Sequence, residues 1–291
     1  MENFKIDSQT SLLGLIGHPV RHSMSPIMHN AVIQKLNLKY IYLAFDVDPK
    51  NLKKAMSGIR ALNIKGVNVT IPYKQEIMKF VDEIDPLAKK IGAINTIKNI
   101  DGYLIARNTD AAGAKKSLTD ANCEIQGKNV LILGAGGAAR AICFALAEQA
   151  NKIIISNRTE DKAISLAKEI KHKMNTDAEG YSNQKNILEK LIGKTDVLIN
   201  TTPLGMYPHI NQLPIPEHLL IENLFVFDVI YNPLKTKLLI VAEKKGCDIL
   251  GGLDMLINQG ALAFEWWTEI NPDTNLMKSK IIKYLEDKNV R

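Results

Sequence analysis

The chain has 291 residues, 46% of them apolar, with a net charge of +6, enough to bury a sizeable core and long enough for two domains. The lysines are scattered and no basic block is interleaved with aromatics, which argues against nucleic acid and leaves a mild positive balance suited to small anionic ligands. Cys123, Cys143 and Cys247 are odd in number and far apart, so neither a disulfide framework nor a zinc site is expected, and no apolar run is long enough to span a membrane.

The start, Met1 to Asp7, is polar and has no signal-peptide pattern, so a cytoplasmic protein is expected. Leu12–Ile16 reads as a strand that breaks at Gly17-His-Pro. A helix should follow, with Ser25 as N-cap, Pro26 in its first turn, and Ile27, Ala31, Val32 and Leu36 on its apolar face. Tyr40–Val47 reads as a strand, Leu52–Leu62 as a helix and Gly66–Val69 as a strand, a βαβ pattern of its own. Alternation puts Asn68 and Thr70 on one side of the third strand, and Pro72 stops it. Lys74 then opens a helix, where a cation opposes the helix dipole. Taken alone, it is equally a surface lysine. Ala93–Lys98 and Tyr103–Ala106 should form a hairpin about Asp101-Gly102. Asn108-Thr109-Asp110 opens the next helix, in which Asp110 by itself reads as a cap.

The stretch Val130–Arg140 carries the strongest local signal. Asn129–Leu133 reads as a buried strand, Ala138–Ala150 as a helix and Lys152–Ser156 as a second strand. Gly134, Gly136 and Ala139 between them fit G-x-G-x-x-G/A, the dinucleotide fingerprint. No Gly-Lys-Ser/Thr follows, so this is not a P-loop. The second strand runs into Asn157-Arg158-Thr159. Arg158 stands where an NADP site places a cation for the 2′-phosphate, and Lys162 lies one helical turn on. Glu160 and Asp161 come late and fit the first turn of a helix capped by Thr159, though they leave room for some use of NAD. His172–Lys185 reads as a polar surface loop. Three further strands end in Asn200-Thr-Thr-Pro203, in Ile230-Tyr-Asn-Pro233 and in Gly251-Gly252, loops expected to line the cofactor. The helices Leu253–Trp267 and Met277–Leu285 have no following strand and should return to the first domain. His18, His22 and His29 fall near one loop, where His18 and His22 read as loop-packing groups rather than metal ligands, and the pair Trp266-Trp267 reads as core and domain contact.

Eight polar motifs then recur in order: Ser23-Met-Ser25, Asn68-Val-Thr-Ile-Pro-Tyr-Lys74, Gly92-Ala-Ile-Asn-Thr96, Asn108-Thr-Asp110, the glycine turn, Asn157-Arg-Thr159, Asp228-Val-Ile-Tyr231 and Asn258-Gln259. Together they resemble shikimate dehydrogenase along nearly the whole chain. The resemblance implies an α/β fold: an N-terminal α/β substrate domain over residues 1–112, completed by 253–291, and a C-terminal Rossmann-type NADP-binding domain over 113–252. It implies NADPH-dependent reduction of 3-dehydroshikimate to shikimate, a step towards chorismate and the aromatic amino acids. Lys74 and Asp110 would be the catalytic pair. Ser23 and Ser25 would hold the substrate carboxylate; Asn68, Thr70, Asn95, Asp110 and Gln259 its ring hydroxyls, with Tyr231 nearby. The NADP would lie on Gly134, Ala135, Gly136, Gly137, Ala138, Asn157, Arg158, Thr159, Lys162, Thr202, Val229 and Gly252, with no metal. Ala111, Asp254 and Thr202-Pro203 depart from the family's usual residues. An enzyme that also takes quinate and NAD is the near alternative, and a non-catalytic dinucleotide sensor the distant one. A homodimer is compatible with the sequence, which shows no interface.

Overall fold

The computed structural model describes residues 5–289, so the first four residues of the polar start lie outside the described part. The chain divides into two units. One ends at Thr109 and resumes at Ile257; the other runs Asp110–Leu256.

The first unit begins β1 (Ser11–Gly17), α1 (Ser25–Lys35), β2 (Tyr40–Asp46), α2 (Leu52–Ala61) and β3 (Gly66–Val69). It continues with β4 (Glu83–Ile84), α3 (Pro86–Ile91), β5 (Thr96–Ile100) and β6 (Tyr103–Arg107). These strands form one mixed sheet in the order β2-β1-β3-β5-β6-β4. The expected hairpin is present: β5 and β6 pair antiparallel, and Asp101 and Gly102 both take positive φ (49° and 92°), as a two-residue turn matching strand twist requires. One core layer gathers Met56, Ile59, Val67, Tyr73, Ile77, Ile94 and Ile97.

Two details of α1 differ from expectation. Met24, not Ser25, takes the cap position; Ser25 is the first helical residue, and its N–H donates to Ser23 Oγ at 3.2 Å. The buried face is Ser25, Met28, His29, Val32 and Ile33. Of the expected apolar face only Val32 is buried, because the helix is set by Met28 and Ile33 and leaves Leu36 exposed. The edge strand β2 is protected at its middle. The Asn30 side chain accepts the Tyr42 N–H at 2.9 Å and donates to the Tyr42 carbonyl at 2.8 Å, imitating a neighbouring strand.

The second unit contains α4 (Thr109–Asp120, joined to the first unit through Thr109), β7 (Asn129–Leu133), α5 (Gly137–Leu146), β8 (Lys152–Asn157), α6 (Glu160–Met174), β9 (Asp177–Ser182), α7 (Lys185–Ile192), β10 (Val197–Asn200), β11 (Phe225–Asp228), α8 (Lys237–Lys244) and β12 (Asp248–Leu250). Its six strands are all parallel, in the order β12-β11-β10-β7-β8-β9. Counted from β7 this is 3-2-1-4-5-6 read backwards, the doubly wound order of dinucleotide-binding domains. The expected loop at 172–185 is overturned. Its middle is the edge strand β9, and α7 starts at its end. The signal was hidden because Asp-Ala-Glu-Gly-Tyr-Ser has no apolar alternation. Gly180 is there for close approach: a Cβ on it would lie 2.3 Å from the α6 backbone at Ala163.

The last helices, α9 (Gly252–Thr268) and α10 (Thr274–Asn289), complete the first unit from Ile257 onward. α10 packs on α1, and the Trp267 indole N–H donates to the Ile97 carbonyl at 2.9 Å. No helix among the described residues is long and apolar enough to cross a membrane.

Candidate active site

In the first unit, three of the expected substrate residues, Asn68, Asn95 and Gln259, lie on one hydrogen-bonded chain. The Tyr42 hydroxyl donates to Asn68 Oδ1 at 2.8 Å. Asn68 Nδ2 donates to Thr96 Oγ1 (3.1 Å) and to the Asn95 carbonyl (3.3 Å). Thr96 Oγ1 donates to Asn95 Oδ1 (3.1 Å), and Asn95 Nδ2 donates to Gln259 Oε1 (3.4 Å) and Thr109 Oγ1 (3.0 Å). Asn95 Oδ1 also accepts the Thr109 N–H at 2.7 Å, which fixes the start of α4 and hence the backbone entering Asp110. Every one of these side chains is buried. Such a run costs stability wherever a member is left unpaired, and here the adjacent strand ends supply the partners.

Tyr42, Thr96 and Thr109 were not foreseen as members. Tyr42 sits on a strand whose aromatic content reads as ordinary packing; only the fold shows that its hydroxyl ends among polar groups. Its ring stacks on His29 with centroids 4.3 Å apart. His29 is fully buried, and neither ring nitrogen has a hydrogen-bond partner. Burial lowers its pKa to about 3.

Lys74 is half-buried and set by backbone on both sides. The Tyr73 N–H closes a turn on the Thr70 carbonyl at 3.0 Å, and the Lys74 carbonyl accepts the Ile94 N–H at 2.7 Å. The buried Tyr73 hydroxyl donates to the Val47 carbonyl. The expected helix after Lys74 is a five-residue 3₁₀ turn, Glu76–Phe80. It is too short for the anticipated dipole effect on the lysine, since the macrodipole is a sum over aligned peptides. Thr70, the first residue after β3, and Ser23, in the loop between β1 and α1, are half-buried. Asp110 is buried in the first turn of α4, one residue past the helix start.

In the second unit the glycine turn behaves as its spacing predicts. Gly134 has φ +110°, and a Cβ there would lie 2.5 Å from Thr201 Oγ1. Gly136 is different: it is the extended cap residue of α5, and a Cβ on it would meet nothing within 4 Å. Ala135 completes the turn, and Gly137, Ala138 and Ala139 open α5, whose first N–H groups have no intrahelical acceptor. Arg158 and Lys162 are exposed. Asn157 Nδ2 donates to the Thr159 carbonyl at 2.8 Å. Thr159 holds the cap position of α6, but its side chain makes no capping bond. Glu160 Oε1 accepts the Ser182 N–H at the end of β9, at 3.2 Å.

A second buried network organises the remaining loops. Asp228, fully buried at the end of β11, accepts from Asn200 Nδ2 (3.0 Å), the Ile230 N–H (3.1 Å) and Thr236 Oγ1 (2.7 Å). Burial pushes its carboxyl up to about 6, against the pull of those three donors. Asn200 Oδ1 in turn accepts both the N–H and the hydroxyl of Thr202, at 3.0 and 2.7 Å. The Val229 N–H donates to the Asn200 carbonyl, and the Gly252 N–H to the Ile230 carbonyl. Thr202, Val229 and Gly252, and the loop leading to Tyr231, are therefore tied together. The sequence marked Asn200 and Asp228 only as polar strand ends.

Sequence comparison covers both units. Residues 15–97 match a family described as shikimate dehydrogenase substrate binding domain, 114–212 one described as shikimate/quinate 5-dehydrogenase, and 252–282 one described as shikimate 5′-dehydrogenase C-terminal domain. A shikimate dehydrogenase (NADP(+)) of Methanocaldococcus jannaschii is 50% identical over 278 residues, 95% of this chain and 98% of that one. A crystal structure of a shikimate dehydrogenase in complex with NADP+ is similar at TM-score 0.91 and 48% identity, covering 97% of this chain and 98% of the other. A shikimate 5-dehydrogenase from Listeria monocytogenes, in complex with shikimate and NAD, gives TM-score 0.87 at 40% identity, with 95% and 98% covered. Identity this high over nearly the full length of both partners leaves one assignment: the chain belongs to the shikimate dehydrogenase family.

Proposed function

We propose that this chain catalyses the reversible NADPH-dependent reduction of 3-dehydroshikimate to shikimate. The observation that carries this reading is the buried polar chain from Tyr42 to Gln259, which gathers donors and acceptors suited to a small polyhydroxy acid. The relatives' names support it.

The second unit fits a dinucleotide. Open space beside Gly136 and the unpaired N–H groups at the start of α5 suit a pyrophosphate. Gly134, Ala135, Gly136, Gly137 and Ala138 would hold it. Arg158 and Lys162, with Asn157 and Thr159, would take a 2′-phosphate, and Glu160 is engaged by Ser182. Thr202, Val229 and Gly252 would line the cofactor. When bound, NADPH supplies the hydride.

The proton is this chain's task. Lys74 would donate it to the carbonyl oxygen as negative charge builds there, and in reverse would take it from the hydroxyl. Asp110 would partner Lys74 and bind a neighbouring hydroxyl. Ser23 and Ser25 would hold the carboxylate; Asn68, Thr70, Asn95 and Gln259 would hold ring hydroxyls, with Tyr231 beside them. The three cysteines are unpaired and buried, which suits a reducing cytoplasm. The test is an absorbance assay for reduced nicotinamide with shikimate or quinate, each with NADP+ or NAD+. Turnover chiefly of shikimate with NADP+ is expected. Silence in all four mixtures, with NADP+ still bound, would overturn the reading.

A further inference from the structure

The amides of Asn68 and Asn95 meet at one atom. Thr96 Oγ1, at the first position of β5, lies 3.1 Å from Asn68 Nδ2, 3.1 Å from Asn95 Oδ1 and 3.2 Å from Thr109 Oγ1. A hydroxyl has one proton and two lone pairs. An amide nitrogen only donates, so Asn68 takes one lone pair; an amide oxygen only accepts, so Asn95 takes the proton. The Thr109 hydroxyl then fills the second lone pair. Thr96 is 0% exposed, so neither surface nor bonding capacity is left on it for a ligand.

The two amides are left with opposite capacities. Both Asn68 Nδ2 protons are used, by Thr96 and by the Asn95 carbonyl. Asn68 Oδ1 takes one proton, from Tyr42, and keeps a second lone pair. Towards a ligand, Asn68 is an acceptor. Asn95 is the reverse. Its Oδ1 is filled by the Thr109 N–H and the Thr96 hydroxyl. One Nδ2 proton goes to Thr109 Oγ1 at 3.0 Å, and the other to Gln259 Oε1 at 3.4 Å, the longest bond of the set. Towards a ligand, Asn95 is a donor, through the proton of that long bond. Half a turn of either amide would swap its oxygen and nitrogen and leave a buried group at Thr96 without a partner.

We propose that Thr96 is a positioning residue, whose single hydroxyl sets the opposite polarities with which Asn68 and Asn95 meet the ring hydroxyls of the substrate. It rests on the reading of the first unit as a shikimate site. Burial gives the hydroxyl its hold, since an amide group left unpaired there loses its hydration with nothing in return. An apolar side chain at the same place cannot tell an amide oxygen from an amide nitrogen.

The test is Thr96→Val, which keeps the branched shape and removes the hydroxyl. The KM for shikimate should rise about tenfold, the scale of one or two net hydrogen bonds. kcat should stay near wild type, because the Thr109 N–H still holds the start of α4 on Asn95 Oδ1. The KM for NADP+, a matter for the second unit, should also stay. Thr96→Ser restores the hydroxyl and should return the shikimate KM to wild type. Asn68→Ala should cost several-fold less in kcat/KM in the Thr96→Val background than in wild type, because Thr96 acts through Asn68. Should Thr96→Val not fold, Thr96→Cys puts only a weak donor and acceptor at the same place, and it should raise the shikimate KM in the same direction. An unchanged shikimate KM in whichever of these two folds, a Ser variant as impaired as they are, or an equal cost of Asn68→Ala in both backgrounds would overturn the proposal. Wild-type protein inactive on shikimate would instead overturn the reading on which it rests.

Discussion

His29→Leu isolates the largest acid-sensitive group in the first unit. The imidazole is enclosed by Tyr42, Phe264 and Trp267, with ring centroids at 4.3, 6.0 and 5.8 Å, and has no hydrogen-bond partner. Unfolded, it binds a proton near 6.5; folded, burial lowers this to about 3. Between those values the unfolded state holds the extra proton, so stability is complete at neutral pH and falls as pH drops through 6.5 towards 3. Linkage with these two values gives a loss of about 2 kcal/mol between pH 7 and pH 5. Leu removes the titration and the unpaired nitrogens, at the cost of the ring stacking. At pH 7 those effects nearly offset, since an unpaired buried polar group and an aromatic pair are each worth about 1 kcal/mol. The assay is urea unfolding followed by tryptophan fluorescence. Both tryptophans, Trp266 and Trp267, belong to the first unit, so the signal reports that unit. Wild type should lose about 2 kcal/mol from pH 7 to pH 5 relative to His29→Leu. Equal pH slopes for the two proteins would refute the assignment of a buried neutral imidazole.

The other predictions concern the second unit and the reaction. Gly134→Ala should destabilise by about 2 kcal/mol or more, from positive φ and the Thr201 contact, whereas Gly136→Ala should melt like wild type yet bind NADP+ weakly; calorimetry and NADP+ titration separate them. Lys74→Ala should lower turnover by about 10²–10⁴-fold with NADP+ affinity retained, and wild-type turnover in that variant would remove Lys74 from the mechanism. Asp228 shows the opposite sign to His29. Its folded carboxyl keeps a proton up to about 6, so its contribution is full well below 3.8 and about 3 kcal/mol is lost once pH has risen through 6 to about 7. Asp228→Asn should abolish that slope in thermal melts followed by circular dichroism between pH 4 and 7.

Much of the site was legible in the chain because its parts are local. The glycine turn needs only a strand, a tight bend and a helix start within a dozen residues, and β7 fell where the apolar run placed it. The hairpin at Asp101-Gly102 was equally local. The β9 edge strand was missed because edge position and contact with α6 hold it there, and neither leaves an apolar period. Ser25 was misplaced by one residue because Ser23, two positions earlier, takes its N–H.

The sequence by itself determined the parallel second unit, its glycine turn and the set of polar residues at strand ends, since each depends on spacing along a short stretch. Only the tertiary structure decided how those polar residues are paired. Asn95 reaches Gln259 across 164 positions, and Tyr42 reaches Asn68 across 26. A hydrogen bond has a length and a direction in space, and burial decides whether it must be made. None of these is a property of neighbouring letters in a chain.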